Sequence, residues 1–344
     1  MSLVARGLCR GLCTGGTSRI ARPVQRVGVF RRASIQTPFQ VGPVNAYLAG
    51  RTVVDPGPDG EGAWSELVAV LDEVGCQPGD VERVLITHPH PDHFGLAKRL
   101  RDAGAAVVAS ARAATIMGDF AGHFEHERAF FRPLLQRWGL DRETADTVTG
   151  LPESYLHYAP SVTTDREIDA GDVVTVDGTD LSVRETRGHA ASELLFTYRS
   201  GGEERALVGD HVLPEITPNP LLQAPIDGDG ERPRQLPAFN DSLDALAADS
   251  FNRFLPGHRE EITDPQGRIG EIRDAHEERT AAVAGLLDGP TTPVAVMDGL
   301  FGDLPATEVF SGLSEAVGHL DVLEARDRVR ASERGGVVVY ESTD

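Results

Sequence analysis

The sequence predicts an α/β protein of two β-rich halves with helices outside them, a pattern that suggests an αβ/βα sandwich. Three observations support this. Apolar runs of strand length alternate with helical patterns as far as Ala109. Strand patterns resume after Asp169. Between them, residues 112–165 place their apolar side chains at helical spacing, which marks an insertion between the halves.

The elements follow in chain order. From Gln36 to Gly57 the pattern gives two short strands and a turn, with Gly42 to Leu48 leading into a strand that ends at Asp55. Leu67, Val68, Leu71 and Val74 recur at helical spacing within Trp64 to Val74, and the run stops at Gly75. Val81 to Thr87 reads as a buried strand, Leu96 to Asp102 as a helix and Ala105 to Ala109 as a strand, which is βαβ alternation. In the insertion, Phe120, Phe124, Phe130, Phe131, Leu134, Leu135 and Trp138 mark one helix, Leu140 to Val148 a second, and Leu151 to Tyr158 a loop. The insertion is either a lid whose aromatics touch a substrate or a helical pair packed on a sheet edge. His123 and His126 read as solvated helix residues. Val173–Val176, Leu181–Glu185, Leu194–Tyr198 and Ala206–Val208 are strands separated by turn-rich pieces such as Ser200-Gly201-Gly202. His276 to Leu287 is helical and ends at Gly289-Pro290. A helix from Ala306 to Glu324 and a hairpin around Arg334-Gly335-Gly336 then suggest a winged-helix-like module.

The expected organisation is therefore a leader over 1–34, a main domain over 35–275 that includes the 112–165 insertion, and a small module over 276–344. The first 37 residues hold seven arginines and no acid, against 26 basic and 53 acidic residues in the rest. Such a leader is a transit peptide, a disordered tail or a stretch upstream of the true start, and the acidic body favours the last two. The net charge is −20 and Lys98 is the only lysine. That composition resembles the acidic surfaces of salt-adapted proteins, although a GC-rich coding sequence also favours Arg over Lys. Cys9, Cys13 and Cys76 are too few for a disulfide framework, so a reduced, cytoplasmic setting is expected. No run of eighteen apolar residues is present, and no membrane span is expected. Residues 276–344 contain 13 acids and 5 arginines. A helix that reads nucleic acid needs basic residues to offset phosphate charge, so packing or homodimerisation is the expected role of this module.

The chemistry concentrates in Thr87-His88-Pro89-His90-Pro91-Asp92-His93-Phe94-Gly95. Imidazole and carboxylate are zinc ligands where no thiolate is offered. Residues two apart in an extended loop project to one side, so His88 and His90 can hold one ion. Asp92 and His93 lie one turn further on, at a helix start, and can hold a second. Two ions held close together can share a hydroxide and use it as a nucleophile.

This His-x-His-x-Asp-His run resembles that of the metallo-β-lactamase-fold hydrolases. Four further pieces of the family pattern stand in the right order: Asp55-Pro56-Gly57 after a strand, Gly188-His189, Gly209-Asp210 after a strand, and Pro256-Gly257-His258. The resemblance covers about residues 35 to 275 and implies a four-layer αβ/βα sandwich. It implies His88, His90 and His189 on a first metal, Asp92, His93 and His258 on a second, and Asp210 bridging them. Asp55 is expected behind the ligands, orienting the histidine loop, and Asp92 as the group that takes the proton during attack. Two Zn2+ ions are implied, with iron or manganese able to use the same ligands.

The expected function is hydrolysis of an ester, thioester or lactone of a small, partly apolar acyl substrate, as in the glyoxalase II-like branch. The acidic surface disfavours RNA, the substrate of the ribonuclease-like branch, some members of which carry a winged-helix-like tail. Three alternatives stay open: a phosphodiesterase or endoribonuclease of the same fold, a mononuclear-iron persulfide dioxygenase that shares the histidine run, and a non-catalytic binding protein.

Overall fold

Alternate side chains of the central strands enter different cores, and this alternation stacks the protein into layers. The computed structural model describes residues 25–190, 192–225 and 230–343. The first half contains β1 (Gln25–Val27), β2 (Phe30–Ile35), β3 (Val44–Ala49), β4 (Thr52–Val54), α1 (Glu61–Glu73), β5 (Arg83–Leu85), α2 (Pro91–Phe94), α3 (Ala97–Asp102) and β6 (Ala106–Ala109). The insertion supplies α4 (Ala111–Gly118), α5 (Phe120–Arg137) and α6 (Arg142–Gly150) before β7 (Arg166–Glu167) completes a seven-stranded sheet in sequence order. The second half contributes β8 (Val173–Val176), β9 (Thr179–Thr186), β10 (Glu193–Ser200), β11 (Glu203–Gly209), α7 (Gln235–Ala247) and β12 (Arg253–Pro256), with strand order β12-β11-β10-β9-β8. The chain ends in α8 (Pro265–Gly285), α9 (Pro293–Phe301), α10 (Ala306–Ala325) and the hairpin β13 (Val329–Arg334) and β14 (Val337–Ser342).

Tyr47 and Ala49 of β3 face Phe196, Tyr198 and Leu207 of the second sheet, forming the core between sheets. Val44, Ala46 and Leu48 of the same strand face Leu67, Leu71 and Leu100 of the first outer helices. On the other side, Leu195, Ala206 and Val208 pack against Leu236, Phe239 and Ile269 of α7 and α8. The order helix, sheet, sheet, helix is the expected four-layer sandwich. Gly95 explains one close approach within it. A Cβ there would lie 2.1 Å from the Tyr158 carbonyl oxygen and 2.2 Å from the Asp59 nitrogen, so only glycine lets the histidine loop sit against these two backbones.

Three expectations are corrected. Residues 25–34 do not belong to a leader: β1 and β2 pair within the first sheet and bury Val27, Phe30, Ala33 and Ile35. Arg26, Arg31 and Arg32 are interspersed with these apolar residues, so the composition concealed a strand pattern; residues 1–24 lie outside the described residues. Leu151–Tyr158 is 3-10 helix rather than loop. The boundary at 276 falls inside α8, which runs continuously from Pro265 to Gly285. That helix places Ile269 and Ile272 against the second sheet and Val283 against the insertion and the C-terminal helices.

α10 is buried along much of its length, and the core around it includes Phe131, Leu135 and Trp138 of the insertion region and Val296 and Met297 of α9. Insertion and C-terminal region thus share one hydrophobic core. Trp138 is 3% exposed there, with its carbonyl accepting a hydrogen bond from the Val294 N–H. Trp138→Ala is expected to lower stability by about 3–5 kcal/mol. Thermal melting checks this: the midpoint should fall by several degrees, and an unchanged midpoint would contradict the packing.

Candidate metal centre

Five strand ends deliver the polar residues to one place. Asp55 follows β4, the histidine run follows β5, His189 follows β9 by three residues, Asp210 follows β11 and His258 follows β12 by two. Backbone hydrogen bonds join the halves here, Leu194 N to Thr87 O at 2.8 Å and Asn45 N to Gly257 O at 2.6 Å, and Gly257 N to Gly209 O at 2.6 Å ties the ends of β12 and β11 together. Pro91 disfavours helical geometry at His90, which stays extended, and itself serves as the first residue of α2. His88 and His90 therefore leave the loop before the helix turns, and Asp92 and His93 leave from its first turn.

The seven expected ligand residues do come together. His90 Nδ1 lies 3.0 Å from His88 Nε2 and 3.2 Å from His189 Nε2. His258 Nε2 lies 3.4 Å from Asp92 Oδ2 and 3.3 Å from Asp210 Oδ2, and His93 Nε2 lies 3.5 Å from Asp210 Oδ1. Asp210 Oδ2 is also 3.8 Å from His189 Nε2, so its carboxylate stands between the two groups. Three overlapping groups could hold a metal ion: His88, His90 and His189; His88, His93 and Asp210; and Asp92, His93 and His258. Donor atoms about 3.3 Å apart form the edge of a tetrahedron around an ion bonded at about 2.0–2.1 Å.

Orphaned donor atoms and the hydrogen bonds behind them fit a divalent cation. His93 Nε2, His258 Nε2 and Asp210 Oδ1 are buried without a hydrogen-bond partner. Behind the cluster, the other ring nitrogen of four histidines is occupied. His88 Nδ1 meets Thr87 Oγ1 at 2.9 Å, His93 Nδ1 meets Asp55 Oδ2 at 3.0 Å, His258 Nδ1 meets Pro43 O at 2.8 Å, and His189 Nδ1 meets Asn219 O at 3.3 Å. These contacts suit a proton on Nδ1 and leave Nε2 facing inward, where a metal can bind once that atom carries no proton. Gly257 keeps the space open, because a Cβ there would lie 2.2 Å from Asp210 Oδ1 and 2.7 Å from His93 Cε1.

Asp55 lies behind the ligands: besides His93 it accepts hydrogen bonds from Thr87 N and Thr87 Oγ1. His211 is buried against Phe239, with Nδ1 3.4 Å from Glu193 Oε2. Sequence reasoning missed Glu193, Asn219 and Pro43. Glu193 accepts a hydrogen bond from the Asp210 N–H at 2.7 Å and lies 3.5 Å from His88 Nδ1. An acid opening the apolar strand Leu194-Leu195-Phe196 was its available signal. Burial, reinforced by the neighbouring Asp210 charge, pushes the Glu193 carboxyl well above its usual range.

The histidines divide electrostatically. Burial, then neighbouring histidines, holds His88 well below its usual value and takes His90 to about 3. Burial would also lower His93 and His258, but carboxylates outweigh it. Asp210 and Asp55 raise His93 well above the usual value, and Asp210 with Asp92 takes His258 to about 10.

The cluster opens into a cavity of about 610 Å3. His90, Asp92, His189 and Asp210 form part of its wall, with Phe124 and Phe131 of α5, Leu213 and Leu222 of the loop after β11, and Phe310 of α10. α5 has two faces: Phe120, Phe124 and Phe131 line this cavity, whereas Phe130, Leu134 and the capping residue Trp138 line a separate cleft beside the C-terminal region. His123, expected in solvent, lines the cavity, and burial takes it down to about 4. His126 donates from Nε2 to the Pro225 carbonyl at 2.8 Å. Neither belongs to a candidate ligand group.

Known proteins share both the sequence and the fold. The family profile described as the metallo-beta-lactamase superfamily matches residues 40–258. A curated relative from Bacillus subtilis (strain 168), the probable metallo-hydrolase YqjP, is 32% identical over 315 residues, spanning 90% of this chain and 96% of the relative. The crystal structure of the metallo-beta-lactamase family protein TTHA1429 from Thermus thermophilus superposes with a TM-score of 0.75 at 26% identity, covering 91% of this chain and 98% of that one. A beta-lactamase domain protein from Burkholderia ambifaria has the same fold, with a TM-score of 0.76 at 22% identity and 95% coverage of both chains.

Protons and metal compete for the inward Nε2 atoms of His93 and His258. Metal binding at pH 7 is expected to release protons, and affinity should rise with pH towards the His258 value of about 10. Calorimetry in buffers of different ionisation enthalpy measures the release; no released protons at pH 7 would contradict the charge assignment.

Proposed function

The chain belongs to the metallo-β-lactamase superfamily, and on that premise we propose that it is a dinuclear zinc hydrolase cleaving the ester, thioester or lactone bond of a small acyl substrate. His88, His90 and His189 would hold one ion, Asp92, His93 and His258 the other, and Asp210 both. Ions bound there supply Lewis acidity and lower the pKa of water, which makes hydrolysis accessible at neutral pH. Asp92, which lines the cavity, would accept a proton there. Thr87, Asp55, Pro43 and Asn219 hold four imidazoles in orientation, so little reorganisation is needed during reaction.

The observation that carries the acyl reading is the cavity itself. Metal-ligand candidates stand at one wall and most of the other lining side chains are apolar, many of them from α5, α10 and the β11–α7 loop. Such a space excludes water and accommodates a hydrocarbon portion. A phosphodiester would call for several cations, and among the described lining residues Arg128 is the only arginine or lysine. The complete second group around His258 favours two ions over a single iron, and thereby a hydrolase over a dioxygenase. The complete ligand set supports an enzyme over a non-catalytic binding role.

Zinc-loaded protein screened on thioesters, lactones, short and long acyl esters and bis-p-nitrophenyl phosphate tests the reading. A carbonyl substrate should exceed the phosphodiester in kcat/KM by about tenfold or more, a difference of about 1.4 kcal/mol in transition-state binding; the reverse order would replace it with the phosphodiesterase reading. Phe124→Ala should change the long-to-short acyl ratio by about tenfold with metal content constant, and an unchanged ratio would remove Phe124 from the acyl wall. Asp210→Ala should lose one ion and nearly all hydrolysis; retention of both ions would contradict its shared position.

A further inference from the structure

Three of the hydrogen bonds that orient metal-facing imidazoles come from within the two-sheet body, through Thr87, Asp55 and Pro43. The fourth differs. His189 Nδ1 contacts the carbonyl of Asn219, which lies in the segment between β11 and α7. That segment is fastened to α10 at three points. Asn219 Nδ2 donates to Ser311 O at 3.1 Å and to Glu315 Oε1 at 3.3 Å. Leu222 N donates to Ser314 Oγ at 3.1 Å. Gly318 allows the helix to lie close, because a Cβ there would be 3.0 Å from Leu236 Cβ and 3.4 Å from Pro220 Cγ.

Glu315 is itself held. It is 9% exposed, its Oε2 accepts a hydrogen bond from Arg279 Nη1 of α8 at 3.0 Å, and His319 Nε2 stands 3.5 Å away. A buried carboxylate needs such partners, and placing it on a packed helix fixes its free oxygen in space. Glu315 therefore continues a chain of contacts that runs from Arg279 through Asn219 to the ring of His189.

We propose that Glu315 is a positioning residue of the metal centre: through Asn219 it lets the C-terminal helix α10 set the orientation of His189, and with it the affinity of the His88–His90–His189 group for its ion. The inference rests on the metal-centre reading of the previous section. It gives the C-terminal region a role at the site that family matching over residues 40–258 does not contain. It also makes the two ion positions unequal, because the second group depends on Asp55 and Pro43 and has no such link to α10.

The test uses full-length protein, Zn2+ and a chelating dye in competition. Wild type should hold two ions. Glu315→Ala and Asn219→Ala should each weaken one ion by about 10–100-fold and leave the other unchanged. Their double variant should be no worse than the weaker single, since both act through one hydrogen bond. Glu315→Gln, which keeps an oxygen for Asn219 Nδ2, should recover most of the loss. In nitrogen-15 imidazole spectra of the zinc-loaded protein, the His189 Nδ1 proton should exchange with solvent faster in Asn219→Ala, a loop variant that tests the link even if Glu315→Ala does not fold. Unchanged affinity in Asn219→Ala, or equal weakening of both ions, overturns the inference while the metal-centre reading stands. A wild type that holds no ion overturns both.

Discussion

The Asp210 carboxylate is the constraint around which the site is arranged. It is 5% exposed and faces His93, His189 and His258, which come from three different strand ends. Burial alone would raise its pKa, but His258 and His93 hold it well below the usual carboxylate range, so it remains an anion in the interior. An interior anion persists only where positive charge is supplied. Protonated histidines or divalent cations can supply it, and the inward lone pairs favour the cations. Its backbone N–H is held by Glu193 and its side chain by the space that Gly257 leaves, so position and charge are set by separate neighbours.

The layers explain why this anion can be surrounded. Strand ends of both sheets finish at the same edge, and the backbone bonds Leu194–Thr87 and Asn45–Gly257 tie the halves together there. Beyond that edge, the insertion and the C-terminal helices share a core and meet across the cavity. The cavity is thus walled largely by chain outside the two-sheet body, while the ligand set is built by the body itself. The lining residues of the insertion and α10 stand apart from the ligands, so they can vary in size without disturbing them, as suits a fold that hosts many functions. The exception is the Asn219 segment, which both lines the cavity and orients His189.

Much of the site is legible in the sequence because its residues follow strands beside Pro or Gly: Asp55-Pro56-Gly57, Gly188-His189, Gly209-Asp210 and Gly257-His258. Such short, polar, glycine-marked breaks after apolar runs are local signals. What is not legible depends on distant pairing. Glu193 and Asn219 act through residues 17 to 96 positions away, and neither lies in a recognisable pattern. β1 and β2 are hidden because their arginine content masks the alternation, although Phe30, Ala33 and Ile35 turn inward. The acid excess of the C-terminal region speaks against nucleic-acid binding, yet composition gives no sign that Glu315 turns inward to pair with Arg279 and Asn219.

The central claim is that this buried cluster is a metal centre. Elemental analysis of protein purified without chelator tests it most directly. The account predicts close to two divalent ions per chain, mostly zinc. A folded, metal-supplemented sample with a content near zero would contradict it.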